Sequence, residues 1–198
     1  MIPRHLKIGV GVLLVAVLGL GGYVWRLKRH AARTPTVVEP AHVTPPATGP
    51  KEQVTLYVAY DDPGILIPRA ATIALPQGRQ ERAQEVLQAL LARYREEDSS
   101  HPIPAGSEIR NVYLVDPGMA VIDTNSALAD GHRSGILVEE LTVISLVQTL
   151  AANVPGVNRV KILVDGKERE TLAGHADIAD LFDTVNVQQL ADQLRTVR

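Results

Sequence analysis

A histidine and two carboxylates are the side chains of this sequence best suited to reactive chemistry. His175 and Asp177 stand two positions apart in Gly174-His175-Ala176-Asp177, and Asp123 ends a separate apolar stretch. Brought together, one imidazole and two carboxylates could hold a divalent metal or move protons in acid–base catalysis, which would make the chain a hydrolase or metalloenzyme. No HExxH, Gly-x-Ser-x-Gly, P-loop or dinucleotide-binding glycine pattern accompanies them. The simpler expectation is structural: Gly174-His175 closes a sheet edge with His175 bonded to backbone, and Asp177 caps a turn. Asp61-Asp62 with Asp116 could suggest calcium, but acids beside Pro-Gly pairs are ordinary turn formers. Glu139-Glu140 lie early in an apolar helical stretch, where the helix dipole favours carboxylates. On this reading the chain has no catalytic residue, no cofactor and no metal site.

The elements that must position these side chains follow from periodicity. Val54, Leu56, Val58 and Tyr60 alternate with Thr55, Tyr57 and Ala59, which predicts a half-buried strand ended by Asp61-Asp62-Pro63-Gly64. A short strand is expected over Leu66 to Leu75, interrupted by Pro68. Arg79 to Glu97 reads as an amphipathic helix with Ala83, Val86, Leu87, Leu90, Leu91 and Tyr94 on one face. Ile109 to Val115 and Met119 to Asp123 read as a hairpin around Asp116-Pro117-Gly118. Ser134 is placed to cap a second helix, Gly135 to Asn153, which is apolar nearly all round and therefore either central or covered by a partner. Arg159 to Val164 and Lys167 to Leu172 read as a final hairpin, since Asp165-Gly166 suits a type I′ turn with φ > 0 at both positions. Val187, Leu190, Ala191, Leu194 and Val197 trace a short amphipathic helix, expected either to dock on the domain or to mediate association. The order predicts an α+β fold: a single mixed or antiparallel sheet with two main helices packed on one face.

Composition narrows the function classes. A net charge of −2 gives no basis for binding nucleic acid, and zero cysteines remove disulfides, thiolate metal sites, cysteine nucleophiles and a lipoprotein anchor together. Ile8 to Val24 is uncharged and ends at Trp25, with Arg26, Lys28, Arg29 and Arg33 beyond. As a helix it reaches about 26 Å, close to the ~30 Å hydrocarbon core, with Tyr23 and Trp25 at the interface. His30-Ala31-Ala32 is a poor cleavage site, which favours an uncleaved single-span anchor over a signal peptide. Pro35, Pro40, Pro45, Pro46 and Pro50 make the segment that follows a semi-extended spacer. The organisation expected is an anchor over residues 1–30, a linker over 31–52, a domain over 53–182 and a C-terminal helix over 183–198.

Four blocks give the chain a resemblance to a family. Val54-Thr55-Leu56-Tyr57-Val58 resembles its opening strand, and Pro102-Ile103-Pro104-Ala105-Gly106-Ser107 its Pro-x-Pro-x-Gly-Thr turn. Ala120-Val121-Ile122-Asp123 resembles its strand ending in an acid, while Val164-Asp165-Gly166-Lys167 with Gly174-His175-Ala176-Asp177 resembles its closing signature. The family is the GerM-type (GerMN) sporulation and spore germination domain. The chain departs from it at Thr124, where an aromatic is usual, at Asp180, where proline is common, and in the added element at 184–198. The resemblance implies an extracytoplasmic α+β module without catalytic residues, associated with envelope complexes. It also outweighs the flanking charges of Ile8 to Val24, which slightly favour the opposite orientation. The expected partners are the cytoplasmic membrane, through Ile8 to Val24, and envelope proteins or further copies of the chain. The other classes to weigh are a binding module for cell-wall glycan or peptide, and an enzyme using His175, Asp177 and Asp123.

Overall fold

The computed structural model describes residues 49–115 and 117–196. The expected membrane span Ile8 to Val24, most of the linker and Asp116 lie outside the described residues. Strand β1 (Lys51–Tyr60) pairs antiparallel with β2 (Ile65–Ala74) in register from Lys51↔Ala74 to Tyr60↔Ile65. Helix α1 (Arg79–Tyr94) follows, then β3 (Ile109–Val115), β4 (Met119–Thr124) and a short helix α2 (Ser126–Asp130). Helix α3 (Ile136–Asn153), β5 (Arg159–Val164), β6 (Phe182–Asp183) and α4 (Thr184–Thr196) complete the chain.

The strands form two sheets, β1-β2 and β3-β4-β5-β6, where one was expected. The reason lies on the outer edge of β1. Its alternate N–H groups donate to side chains instead of to another strand: Thr55 to Asn153 Oδ1 (3.0 Å), Tyr57 to Thr149 Oγ1 (2.9 Å) and Ala59 to the Tyr94 hydroxyl (2.9 Å). The carbonyls of Thr55 and Ala59 accept from Asn153 Nδ2 and the Ser100 hydroxyl. With helix side chains satisfying that edge, no third strand can add there. The same alternation sends the even-numbered backbone groups of β2 to its free edge. Pro68 therefore continues the strand without losing a ladder bond, since its missing N–H would have faced outward.

In the larger sheet β4 runs antiparallel to β3 and parallel to β5, because the chain crosses over through α2 and α3 before returning. Ala120↔Val160 and Ile122↔Ile162 face the core, and all four are fully buried. The expected second arm of the closing hairpin, Lys167 to Leu172, does not form a strand. Asp165 (φ 50°) and Gly166 (φ 71°) make the left-handed turn as expected, but only Val164 and Lys167 bridge across it. Lys167-Glu168-Arg169-Glu170 offers no apolar side chain for a core face, so the place beside β5 goes to β6, with Val160 opposite Phe182. Residues 170–178 close into a small loop instead, through Leu172 N–H to the Ala176 carbonyl and Ile178 N–H to that of Glu170. Nothing lies near a Cβ built on Gly166, so Gly166→Val tests backbone strain alone. It should cost roughly 1–2 kcal/mol in urea unfolding, as expected for a side chain forced into a left-handed conformation.

Helix α1 buries Ala83, Val86, Leu87, Leu90, Leu91 and Tyr94, the stripe its spacing predicts, and packs on β1 and β3. Helix α3 is long and apolar enough to cross a membrane by length and composition. Here it is the packing centre, buried all round from Leu141 to Leu150 and touched by β1, α1 and α4. Its expected cap is absent: Gly135 holds the N-cap position, and Ser134 makes no capping bond. Helix α4 docks on α3 and β2 through Val187 and Ala191, both buried, and leaves Leu190 exposed. Strand β1 begins at Lys51, where Lys51 pairs with Ala74 at the end of β2.

Candidate functional site

Two polar clusters gather at the N-terminal end of α3. The first is built on Glu139, whose side chain is fully buried. Its Oε2 accepts the N–H groups of Ala173 (3.0 Å), His175 (2.9 Å) and Ala176 (3.0 Å). Its Oε1 accepts Gly135 N–H (3.2 Å) and faces His175 Nδ1 at 2.8 Å. One carboxylate thus caps its own helix and ties down the 173–176 loop. Burial alone would raise its pKa, but the bonds from His175, Ala176 and Ala173 outweigh that and hold it at about 2.

Ser134 Oγ lies 3.3 Å from His175 Nδ1, so a hydroxyl, an imidazole and a carboxylate adjoin, as in a nucleophile triad. The geometry does not relay a proton. A triad places hydroxyl and carboxylate on opposite ring nitrogens, whereas Ser134 and Glu139 both address Nδ1. The arrangement is a clasp between helix and loop.

The second cluster joins the turn after β1 to α3. His101, fully buried, sets Nδ1 2.5 Å from Asp61 Oδ1 and Nε2 2.7 Å from Thr142 Oγ1. His132 sets Nε2 2.7 Å from the same Thr142 oxygen and Nδ1 2.8 Å from the Arg133 carbonyl. Arg133 donates to Asp61 Oδ2 at 2.7 Å. The Tyr94 ring meets His101 edge-on at 4.7 Å, with its hydroxyl on the β1 edge.

The three residues with most chemical promise in the sequence do not share a partner. Asp123 accepts Gly166 N–H at 2.7 Å, holding the left-handed turn, with Arg110 Nε at 4.0 Å. Asp177 accepts Ala179 N–H at 2.8 Å, which is the turn-capping role expected for it. His175 bonds a buried carboxylate where a backbone partner was expected. Asp61, considered for calcium, is occupied by His101 and Arg133. Among the described residues no group of three or more His, Asp or Glu could hold a metal ion. Sequence reasoning saw Glu139 only as a dipole partner. The signal for its burial was available: 139, 143, 146 and 150 share a helical face, and the other three are buried apolar residues. Nothing local marks His101, His132 and Thr142 as neighbours.

A family model described as Germane, sporulation and spore germination, matches residues 55–170. The chain belongs to that family. The matched span runs from Thr55 within β1 to Glu170, where the 170–178 loop starts. Among solved structures, this Germane chain is similar to the first GerMN domain of the sporulation protein GerM from Bacillus subtilis. The identity is 20% and the TM-score 0.50, covering 67% of this chain and 97% of that one. It is also similar to the tandem GerMN domains of the same protein, at 16% identity and TM-score 0.54, covering 69% of this chain and 48% of the tandem chain. A putative lipoprotein from Clostridium perfringens matches at 17% identity and TM-score 0.46, over 70% of this chain and 91% of that one. No curated protein sequence matches the chain.

Proposed function

We propose that this chain is a non-enzymatic, membrane-tethered module for protein–protein assembly in the bacterial cell envelope, serving a sporulation- or germination-related process. The observation that carries the reading is the outward face of the four-stranded sheet. Tyr113 and Val115 on β3 are 44% and 42% exposed, and Leu181 beside β6 is 46% exposed. Tyr113 pairs with Val121 and Val115 with Met119, so apolar side chains adjoin across strands. Apolar patches of this kind mark interaction surfaces. Ile8 to Val24 supplies the tether, and the proline-rich spacer sets the domain off from the bilayer on its outer side.

A groove of about 700 Å³ crosses the same face, lined by Met119, Val121, Lys161, Glu168, Ala179, Asp180 and Leu181. Met119, Val121, Ala179 and Leu181 give the groove an apolar floor with Lys161, Glu168 and Asp180 around it, a mixture suited to a protein partner. Replacing Tyr113 and Leu181 together by glutamate should leave thermal melting within a few degrees, since both are surface positions. The full-length chain, extracted from membranes in mild detergent, should then migrate at smaller mass than the parent. An unchanged mass would remove this face from the proposal.

A further inference from the structure

Two buried imidazoles compete for one hydroxyl in the bond chain Asp61–His101–Thr142–His132. His132 Nδ1 lies 2.8 Å from the Arg133 carbonyl, which only accepts, so Nδ1 carries a proton. His101 Nδ1 lies 2.5 Å from Asp61 Oδ1, so one proton sits between those two atoms. With Asp61 ionised and both rings neutral, each Nε2 is then a bare acceptor. Both lie 2.7 Å from Thr142 Oγ1, whose single proton can serve only one of them. The Val138 carbonyl, 3.2 Å from the same hydroxyl, is a third claimant. Both contacts become hydrogen bonds only when one further proton enters: one ring donates from Nε2 to Thr142, and Thr142 donates to the other.

We propose that this cluster is a one-proton latch between the 131–135 segment and α3: with the extra proton both imidazoles hold Thr142, and without it His132 lets go. His132 is the member that releases because its other ring nitrogen bonds only the neighbouring residue's carbonyl. His101 is anchored by Asp61 and by the Tyr94 ring, and its segment is fixed by Ser100 Oγ on the Ala59 carbonyl. The groups facing the pair are Asp61 from the turn after β1, Tyr94 from α1, Arg133 from the 131–135 segment and Thr142 from α3. Burial disfavours charge on His101, the bond to Asp61 favours it, and His132 and Arg133 oppose it. The net effect places its titration below the ordinary imidazole value of 6.5. Acidification therefore closes the latch, and neutral pH opens it.

The test is a pH titration of the full-length chain in detergent micelles, with ¹⁵N-labelled histidine and imidazole nitrogen spectra recorded from about pH 4 to 8. The cluster should take up its one proton in a single step that both rings report, below the ordinary imidazole value of 6.5, as coupled groups do. Above that step both rings should be Nδ1–H tautomers. Amides 131–135 should then exchange several-fold faster after correction for intrinsic rates, the scale of one lost hydrogen bond. Thr142→Ser keeps the hydroxyl and should preserve the shared step, while Thr142→Val should split it in two. Independent titration of the two rings in the parent chain, or exchange at 131–135 that ignores the step, would overturn the latch. If Thr142→Val does not fold, the parent and Thr142→Ser titrations decide.

Discussion

Glu139→Ala should be the most damaging single change at the candidate site, costing on the order of 3–5 kcal/mol. The carboxylate is fully buried and accepts four backbone N–H groups besides the His175 ring. Truncation strands those donors, and each one left unsatisfied away from water carries its own penalty. Since small domains unfold for only about 5–15 kcal/mol, the variant should be marginal at room temperature. Urea unfolding of the full-length chain measures the loss. Glu139→Gln keeps the shape but not the charge, so a smaller loss is expected. The same bonds set a pH dependence. Folding lowers the Glu139 pKa from 4.5 to about 2, so its contribution is complete above pH 4.5 and fades as pH falls towards 2. Glu139→Gln should flatten that acid limb, and an acid limb unchanged in the variant would assign it to other carboxylates.

The second large effect is in the core. Leu146 is 1% exposed at the centre of α3, where helices and sheet leave no room to collapse around a void. Leu146→Ala should cost about 2–5 kcal/mol. Leu190→Ala on α4, where the side chain is 40% exposed, should cost no more than about 0.5 kcal/mol. Equal losses at the two positions in thermal melting would mean that α4 contributes as much to the core as α3 does.

What could be read from the sequence was what periodicity and turn chemistry encode. The α1 stripe, the β3–β4 hairpin and the left-handed Asp165-Gly166 turn are local patterns, and each stands where the spacing put it. The division into two sheets was hidden, because it depends on Asn153 and Thr149 reaching strand residues more than ninety positions away. Strand β6 was hidden as well: two residues are too short for a periodic signal. The turn chemistry of Asp165-Gly166 points to a second arm, but the four consecutive charged residues after Gly166 give it no core face. At the site, His175 and Asp177 are legible by residue type. Their partners, Glu139 and the Ala179 N–H, are set by tertiary packing and by a local turn.

The absence of cysteine from the chain allows one measurement to test location and assembly together. Full-length chain carrying Tyr113→Cys is treated in intact cells with a membrane-impermeant, thiol-directed photo-crosslinker. The account predicts labelling without lysis and a covalent adduct with another protein chain. No adduct should form from Arg93→Cys, since Arg93 lies on the solvent face of α1 with its side chain 58% exposed. A thiol that reacts only after lysis, or one that is labelled and yields no adduct, would contradict a tethered assembly module outside the membrane.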